Sequence, residues 1–397
     1  MNDMMDNDFC DMPSVVKLLK EERPQKISDP LPIQYIPGRE WACVIRLGAI
    51  GDDLIATSIL PLLAKDYNVE VIAEDPQHVI FENNPYIAKL TVKKRGDLPE
   101  GQNNEWQNWF AARSKEYAKF IHLSHSCEDA IAFFPCQTKF WYPDSVRRRL
   151  CSGVSYLEYV HDIAEVPHVF RPQFFPTEAE RTKAQETKAK VGRRVIGWAI
   201  SGSRFDKIYP QSPMVIGRLI KELDVPVILF GGPGKDNVIA KQIMEHVERQ
   251  NGTTQGLHLA LTPDVPAGTQ AWEMGTGTHV EIKDAPPPLW PIRRSLAQIL
   301  TMDLMIGPDT GLMWAAGMEP FGKIMLLSHA SPTNITKHWI NTVTLHADQK
   351  RVPCFPCHRL HNTIDTCKPN KENNGAACIT DINPEDIVQA ARKLLDV

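Results

Sequence analysis

The chain lacks any run approaching the roughly 20 consecutive apolar residues that cross a bilayer, and its first residues are acidic where a secretory leader would be basic. A cytoplasmic protein is expected. It also lacks a dominant charge: 44 basic against 48 acidic residues leave a formal net charge of -4, so no global attraction draws it to nucleic acid or to an anionic membrane. An anionic ligand must be held by a local site. Paired cysteine spacing is missing over most of the length, because Cys10, Cys43, Cys127, Cys136 and Cys151 are scattered, and a disulfide framework is not expected. What remains is ordinary globular material, 397 residues with 43% apolar and 23% charged content, enough for two domains with full cores.

Residues 1–38 are polar and acidic at first, carry a possible short helix around Val15, Val16, Leu18 and Leu19, then break at Pro24, Pro30, Pro32 and Pro37. They read as an appendage. Trp41 to Leu47 is an apolar run ending at Gly48, Asp53 to Lys65 has helical apolar spacing, and Val69 to Ala73 is a second strand. Asp75-Pro76 starts a further helix, Pro85 to Val92 reads as a third strand with its turn, and Phe120 to Leu123 as a fourth. Proline-rich Pro167 to Pro176 and a charged helix from Thr177 to Lys190 suggest a boundary near 176–193. A new strand at Arg194 to Ile200 opens the second half, and Val225 to Phe230 before Gly231-Gly232 is the next. Residues 249–290 lose the rhythm and read as an inserted loop. A helix from Ser295 to Leu300, strands at Leu304 to Ile306 and Lys323 to Leu327, and an amphipathic helix at Pro384 to Leu395 complete the alternation. Strand-helix alternation in both halves predicts parallel sheets. The expected fold is α/β, two Rossmann-like doubly wound lobes, with one lobe at 39–180 and the other at 190–397.

Three motifs sit where such sheets bind ligands, at strand ends that open a helix. Gly48-Ala49-Ile50-Gly51-Asp52-Asp53 differs from a dinucleotide fingerprint by its carboxylates, which would repel a pyrophosphate but suit a general base. A helix cap by Asp52 or Asp53 is an equal alternative. Ser201-Gly202-Ser203-Arg204-Phe205-Asp206-Lys207 offers a hydroxyl, a glycine and two cations, the groups that hold a diphosphate, although a solvated loop with incidental charges has the same composition. Gly307-Pro308-Asp309-Thr310-Gly311 enters a helix with Ala315 and Ala316, so a phosphate could approach closely, or Asp309 or Thr310 could simply cap it.

Together, Ile45-Arg46-Leu47-Gly48-Ala49-Ile50-Gly51-Asp52, Asp206-Lys207-Ile208-Tyr209-Pro210 and Gly307-Pro308-Asp309-Thr310-Gly311 resemble the glycosyltransferase family nine pattern of bacterial heptosyltransferases. The resemblance runs from about residue 42 to the C-terminus, at motif level. It implies a GT-B architecture with a central cleft and inverting transfer of a sugar from ADP-heptose without a catalytic metal. On matching positions it implies Asp52 as the base and Lys207 as the group that neutralises the leaving diphosphate. Ser201, Arg204, Gly231, Gly232, Asp309, Thr310 and Gly311 would bind the donor, with Gly48 and Gly51 on the acceptor side. The acceptor would be a glycan, such as a lipopolysaccharide core, or a protein side chain. Two departures bear on donor and acceptor identity: Trp314 stands where the family generally has histidine, and the 249–290 insertion has no counterpart in short members. Tyr209 is the aromatic step after the lysine.

Cys354-x2-Cys357-x9-Cys367-x10-Cys378 is a second constellation. Four thiolates with one C-x-x-C knuckle suit tetrahedral Zn or Fe, against free cysteines or a redox pair, with His358 and His361 as alternative ligands. The autotransporter heptosyltransferases, which modify protein side chains, resemble this arrangement in carrying an iron-bound cysteine cluster and forming oligomers, so a homo-oligomer is also expected. His122 and His125 could face the cleft or be satisfied elsewhere. Trp106 and Trp109 read as sheet packing, and Arg147-Arg148-Arg149 as an anion site or a solvated run. Two other readings stand beside the transferase: an NAD(P)-dependent oxidoreductase, with Glu74 on a ribose, and a non-catalytic family member.

Overall fold

The computed structural model describes residues 35–94, 97, 104–134, 136–171, 174–232, 234–261, 270–272, 279–281, 292–358, 367, 369–373 and 375–397. Most of the expected N-terminal appendage, the proline triplet at 286–288 and His361 lie outside them, as does the side chain of Trp106.

Two parallel sheets carry the chain. The first uses β1 (Trp41–Arg46), β2 (Asn68–Glu74), β3 (Lys89–Lys93) and β4 (Lys119–His122) in the order β3-β2-β1-β4. β1 lies between two parallel neighbours, with Ala42 opposite Val69 and Lys119. Burial on both faces explains its unbroken apolar run, Ala42 to Ile45 being fully buried. The second sheet uses β5 (Ile196–Ala199), β6 (Val227–Gly231), β7 (Leu257–Leu261), β10 (Leu304–Pro308), β11 (Gly322–Leu327) and β12 (Thr342–His346) in the order β12-β11-β10-β5-β6-β7. β8 (Gln270–Trp272) and β9 (His279–Glu281) form a separate antiparallel pair.

In each sheet the strand order reverses once, between β1 and β4 and between β5 and β10. Ligands of open α/β sheets bind beyond the carboxyl ends of the strands at such a reversal. The three motifs leave the sheets there: one follows β1, one follows β5 and one follows β10.

Several expected elements are corrected. The helix expected over Asp53 to Lys65 is two pieces, Ile50–Thr57 and Leu60–Leu63. Pro61 has no N–H to continue the ladder and its ring crowds the carbonyl four residues back, and the Ser58 hydroxyl bonds Ile55 O at 2.7 Å at the break. The element after Asp75-Pro76 is a single 3₁₀ turn, Gln77–Ile80. The third strand starts at Lys89, because Pro85 and Tyr86 belong to the turn before it. The presumed loop starting at 249 holds the last turn of the helix Lys235–Asn251 and the edge strand β7.

One buried apolar cluster runs through both sheets' helices, joining Leu54, Ile55 and Leu157 to Met313, Trp314 and Trp339. The helix Glu178–Val191 between the sheets begins with a reciprocal cap of Thr177 and Glu180. Arg293 anchors it by bonding Glu180 at 2.8 Å. The C-terminal helix Pro384–Leu395 buries Ile387, Val388 and Ala391 in the second sheet's core, the face its sequence spacing marked.

Candidate active site

A cavity of about 770 Å3 opens where the strand reversals of the two sheets meet, within the size range of small-molecule sites. Its first wall comes from the loop after β1, including Gly48, Gly51 and Asp52, and from the segment after β4. Its second wall comes from Ser201, Arg204 and Lys207 after β5, Gly231 and Gly232 after β6, and Asp309, Thr310 and Gly311 after β10. All eleven residues assigned to transfer chemistry from the sequence therefore line one cavity.

The two glycine motifs touch. A Cβ on Gly311 would lie 2.7 Å from Ile50 Cγ2 and 3.0 Å from Gly51 N, and one on Gly51 would lie 3.1 Å from Trp314 Cδ1. Glycine at these positions lets the helices Ile50–Thr57 and Gly311–Gly317 start against each other, so the motif that carries Asp52 abuts the one that carries Asp309.

Asp52 accepts the Ala49 N–H at 3.3 Å and pairs with Arg46 Nη2 at 2.7 Å. It is therefore both a partial cap and a carboxylate at the cavity wall, its side chain 23% exposed. Arg46 is buried at the end of β1 and spends its other terminal nitrogen on Leu123 O at 3.0 Å and Leu47 O at 3.2 Å. Burial opposes its charge, and Asp52, leading several neighbouring acids, more than restores it. Asp53 is not a cap: both its oxygens are buried without a partner, and burial pushes its carboxyl well above the ordinary range despite Arg46 nearby.

On the opposite wall Lys207 Nζ pairs with Asp309 Oδ2 at 2.9 Å. The other oxygen of Asp309 accepts Trp314 Nε1 at 3.1 Å. Burial would raise the Asp309 pKa, but Lys207, His329 and the Trp314 hydrogen bond hold it below the ordinary value. Thr310 caps its helix by accepting Met313 N at 3.4 Å, so the capping reading holds for Thr310. Arg204 Nε pairs with Asp206 at 3.0 Å. Ser201 donates to Asp236, whose other oxygen accepts Gly232 N at 2.6 Å. Burial pushes that Asp236 carboxyl up to about 6.

Sequence reasoning missed several groups. Lys235 lines the cavity, donates to Gly202 O and pairs with no carboxylate among the described residues. Burial lowers its pKa. His329, at the end of β11, sits between Asp206 at 3.5 Å and Asp309 at 3.9 Å. Burial works to raise Asp206, yet His329, Lys207 and Arg204 hold it far below the carboxylate range. Glu128 and Tyr156 also line the first wall. The only hint available for Lys235 was its place just past Gly231-Gly232.

Other expectations resolve variously. His125 lines the cavity, whereas His122 packs its ring 4.3 Å from Phe110 and is held at about 4 by burial and by His125. Trp109 packs on the first sheet, as read from the sequence. Arg147-Arg148-Arg149 is not an anion site facing the cavity: Arg147 is buried and donates to Cys357 O at 2.8 Å, and Arg148 donates to Pro353 O. Glu74, the ribose ligand of the oxidoreductase reading, is not among the cavity's walls. Cys354 is exposed, Cys357 and Cys367 are half-buried and Cys378 is buried. Burial and then the charges of Asp206, Cys357 and Cys354 push the Cys367 thiol up to about 12. Among the described residues no three His, Cys, Asp or Glu side chains form a metal-ligand arrangement.

No family model and no curated protein matches the sequence. The fold does match solved structures: the chain shares the architecture of glycosyltransferase family 9. A family 9 glycosyl transferase from Veillonella parvula superposes with a TM-score of 0.56 at 15% identity, covering 90% of this chain and 97% of that one. The Escherichia coli ADP-heptose lipopolysaccharide heptosyltransferase II gives 0.54 at 15% identity, over 89% and 98%. The dodecameric iron-containing heptosyltransferase TibC of enterotoxigenic E. coli, solved with ADP-D-beta-D-heptose, gives 0.52 at 11%, over 90% and 77%.

Proposed function

We propose that this protein is an inverting GT-B glycosyltransferase that moves a heptose, or a related sugar, from an ADP-sugar to a hydroxyl acceptor on a glycan or a protein side chain. One observation carries the reading: Asp52 and Lys207 line the same cavity from opposite sheets, in a fold shared with heptosyltransferases. In the proposed step the acceptor oxygen attacks the anomeric carbon while Asp52 takes its proton. The bond from that carbon to the diphosphate oxygen breaks on the opposite face, and the electron pair leaves with ADP. Lys207, Lys235 and Arg204 supply positive charge to the departing diphosphate as its charge grows. Thr310 and Gly311 bring the start of their helix to the same group, and Gly48 and Gly51 form the acceptor-side wall beside Asp52.

The test is mass spectrometry of the protein incubated with ADP-heptose and candidate acceptors. Asp52→Asn should cut turnover by about 10²–10⁴-fold, the usual worth of a general base, and leave ADP affinity within about threefold. Wild-type turnover in that variant, or neither product nor donor hydrolysis with any acceptor, would sink the reading.

The proposal extends to a structural Fe or Zn on Cys354, Cys357, Cys367 and Cys378. The donor chemistry suits either metal, and the support for the site is the spacing Cys354-x2-Cys357-x9-Cys367-x10-Cys378. When bound, the metal would tie the segment after β12 to the second sheet, with no part in the transfer. Protein grown without added metal should carry about one Fe or Zn per chain, and Cys357→Ser should lose most of it. A cytoplasmic location and a homo-oligomer complete the proposal.

A further inference from the structure

The cavity is electrically lopsided. Its second wall carries three cations, Arg204, Lys207 and Lys235, against two carboxylates, Asp236 and Asp309, and suits the anionic diphosphate of the donor reading. Its first wall carries two carboxylates, Asp52 and Glu128, and the cationic side chains lining that wall among the described residues are Arg46 and, when protonated, His125. Arg46 has both terminal nitrogens committed, to Asp52 and to the carbonyls of Leu47 and Leu123. A second anion on this side would face two carboxylates, and the remaining guanidinium nitrogen, Arg46 Nε, is buried.

Three polar atoms of this wall have no protein partner among the described residues, Arg46 Nε being the one donor that belongs to a cation. Tyr156 is 5% exposed, and its hydroxyl is buried without a hydrogen bond. Glu128 Oε2 is in the same condition. Tyr156 stands at the start of the helix Tyr156–Ile163 and lines the same cavity as Glu128, Asp52 and Asp309. Buried polar groups are normally satisfied, and orphaned ones lining a cavity mark where a ligand's own hydroxyls complete the set.

We propose that the acceptor is a neutral sugar, whose hydroxyls are received by Glu128 and Tyr156 beside Asp52, and that sugars bearing a carboxylate or phosphate near the reacting hydroxyl are rejected. The inference rests on the transferase reading and narrows its acceptor. Glu128 accepts a hydroxyl proton in hydrogen bonding, Tyr156 accepts or donates one, and both position the acceptor oxygen without taking part in bond making.

The probes are methyl α-glucoside and methyl α-glucuronide, a pair matched except for the carboxylate, titrated by ligand-observed NMR into the full chain saturated with ADP. The glucoside should bind at least about tenfold more tightly than the glucuronide, as expected for a like charge held within several ångströms at a partly buried site. Glu128→Gln should shrink that gap to about threefold or less, and Tyr156→Phe should weaken the glucoside by about fivefold, the loss of one hydrogen bond. Equal or tighter glucuronide binding by the wild type overturns the proposal without any variant. A gap unchanged in folded Glu128→Gln, or transfer to a serine peptide in preference to neutral sugars, overturns it too. The ADP titration is read first: wild-type protein that does not bind ADP overturns the donor reading and this one with it, whereas ADP binding with the wrong sugar preference overturns this one alone.

Discussion

Removing the Lys207 ammonium is the most informative perturbation, because the structure sets its cost in advance. Lys207 and Asp309 are 2.9 Å apart with side chains 12% and 10% exposed. Deleting one member of a buried pair costs about 3–5 kcal/mol, mostly from the charge left behind. Asp309 keeps the Trp314 N–H after Lys207→Met, so the lower end, about 3 kcal/mol, is expected. Asp309→Asn alone should cost a similar amount by stranding Lys207. The double variant strands neither, and should be at least about 1–2 kcal/mol more stable than the sum of the single losses predicts. Urea unfolding of the ligand-free protein measures each term. The pH dependence supplies a second check. In the wild type Asp309 is held below its ordinary value of 3.8, so its contribution is present above that value and is lost as pH falls through the depressed folded value. Without Lys207, burial dominates and the folded pKa rises above the unfolded one, so the penalty is greatest at neutral pH and is relieved on acidification. The wild-type-minus-variant gap should therefore narrow as pH drops from 7 towards 4. Additive single losses, a gap under about 1 kcal/mol, or a gap constant with pH would refute the reasoning.

Gly311→Ala should destabilise the protein by about 1–3 kcal/mol, since the new methyl meets Ile50 and the Gly51 backbone; unfolding at unchanged midpoint would show that the two helix starts do not abut. Gly48→Ala meets only the Arg46 guanidinium, at 3.2 Å, and should cost less in the same assay. Lys323 is fully buried and burial drops its pKa to about 7 from 10.5. The unfolded chain then holds more protons across that interval, so stability should rise with pH from 7 to 10.5. Lys323→Met should flatten the rise and stabilise the protein at pH 7 by a few kcal/mol, read by thermal melts across that range.

The cavity-lining motifs were legible where the signal is local. Gly48 to Asp52 and Gly307 to Gly311 each follow a buried strand, and strand order alone then carries them to the same kind of place, the reversal in a parallel sheet. β1, β5 and β10 were found for the same reason: a strand buried on both faces writes a continuous apolar run. β7 was missed because its two leading residues, Leu257 and His258, follow a Gly-Thr turn and alternate in polarity at an exposed edge. Pro61 did carry the signal that splits the helix after Asp53, and the apolar spacing around it overrode it. Partners distant in sequence left no trace: nothing near Asp52 marks Glu128 or Tyr156, and nothing near Ser201 shows that Asp236 will claim its hydroxyl.

Trp314 shows how a departure from a motif can be absorbed by the fold. The pattern this sequence resembles has histidine there, a side chain that can donate to a neighbouring carboxylate. Here the indole N–H of Trp314 donates to Asp309 Oδ1, and its ring packs edge-on against Trp339 at 5.1 Å. An imidazole reaches the same carboxylate from another strand, as His329 after β11 approaches Oδ2. Both oxygens of Asp309 are thereby occupied, one by Trp314 and one by Lys207. If Asp309 receives a sugar hydroxyl, as the proposed donor role requires, Oδ2 is the oxygen whose present partner, Lys207, also has a use elsewhere in the proposed step. The natural exchange is for Lys207 to leave it for the arriving diphosphate. His329 stands 3.9 Å away, close enough to take over that oxygen by a small side-chain shift. ADP should then weaken the coupling between Lys207 and Asp309: the double-mutant cycle repeated at saturating ADP should give a smaller interaction energy than the ligand-free protein, and an unchanged one would mean that Lys207 never leaves Asp309.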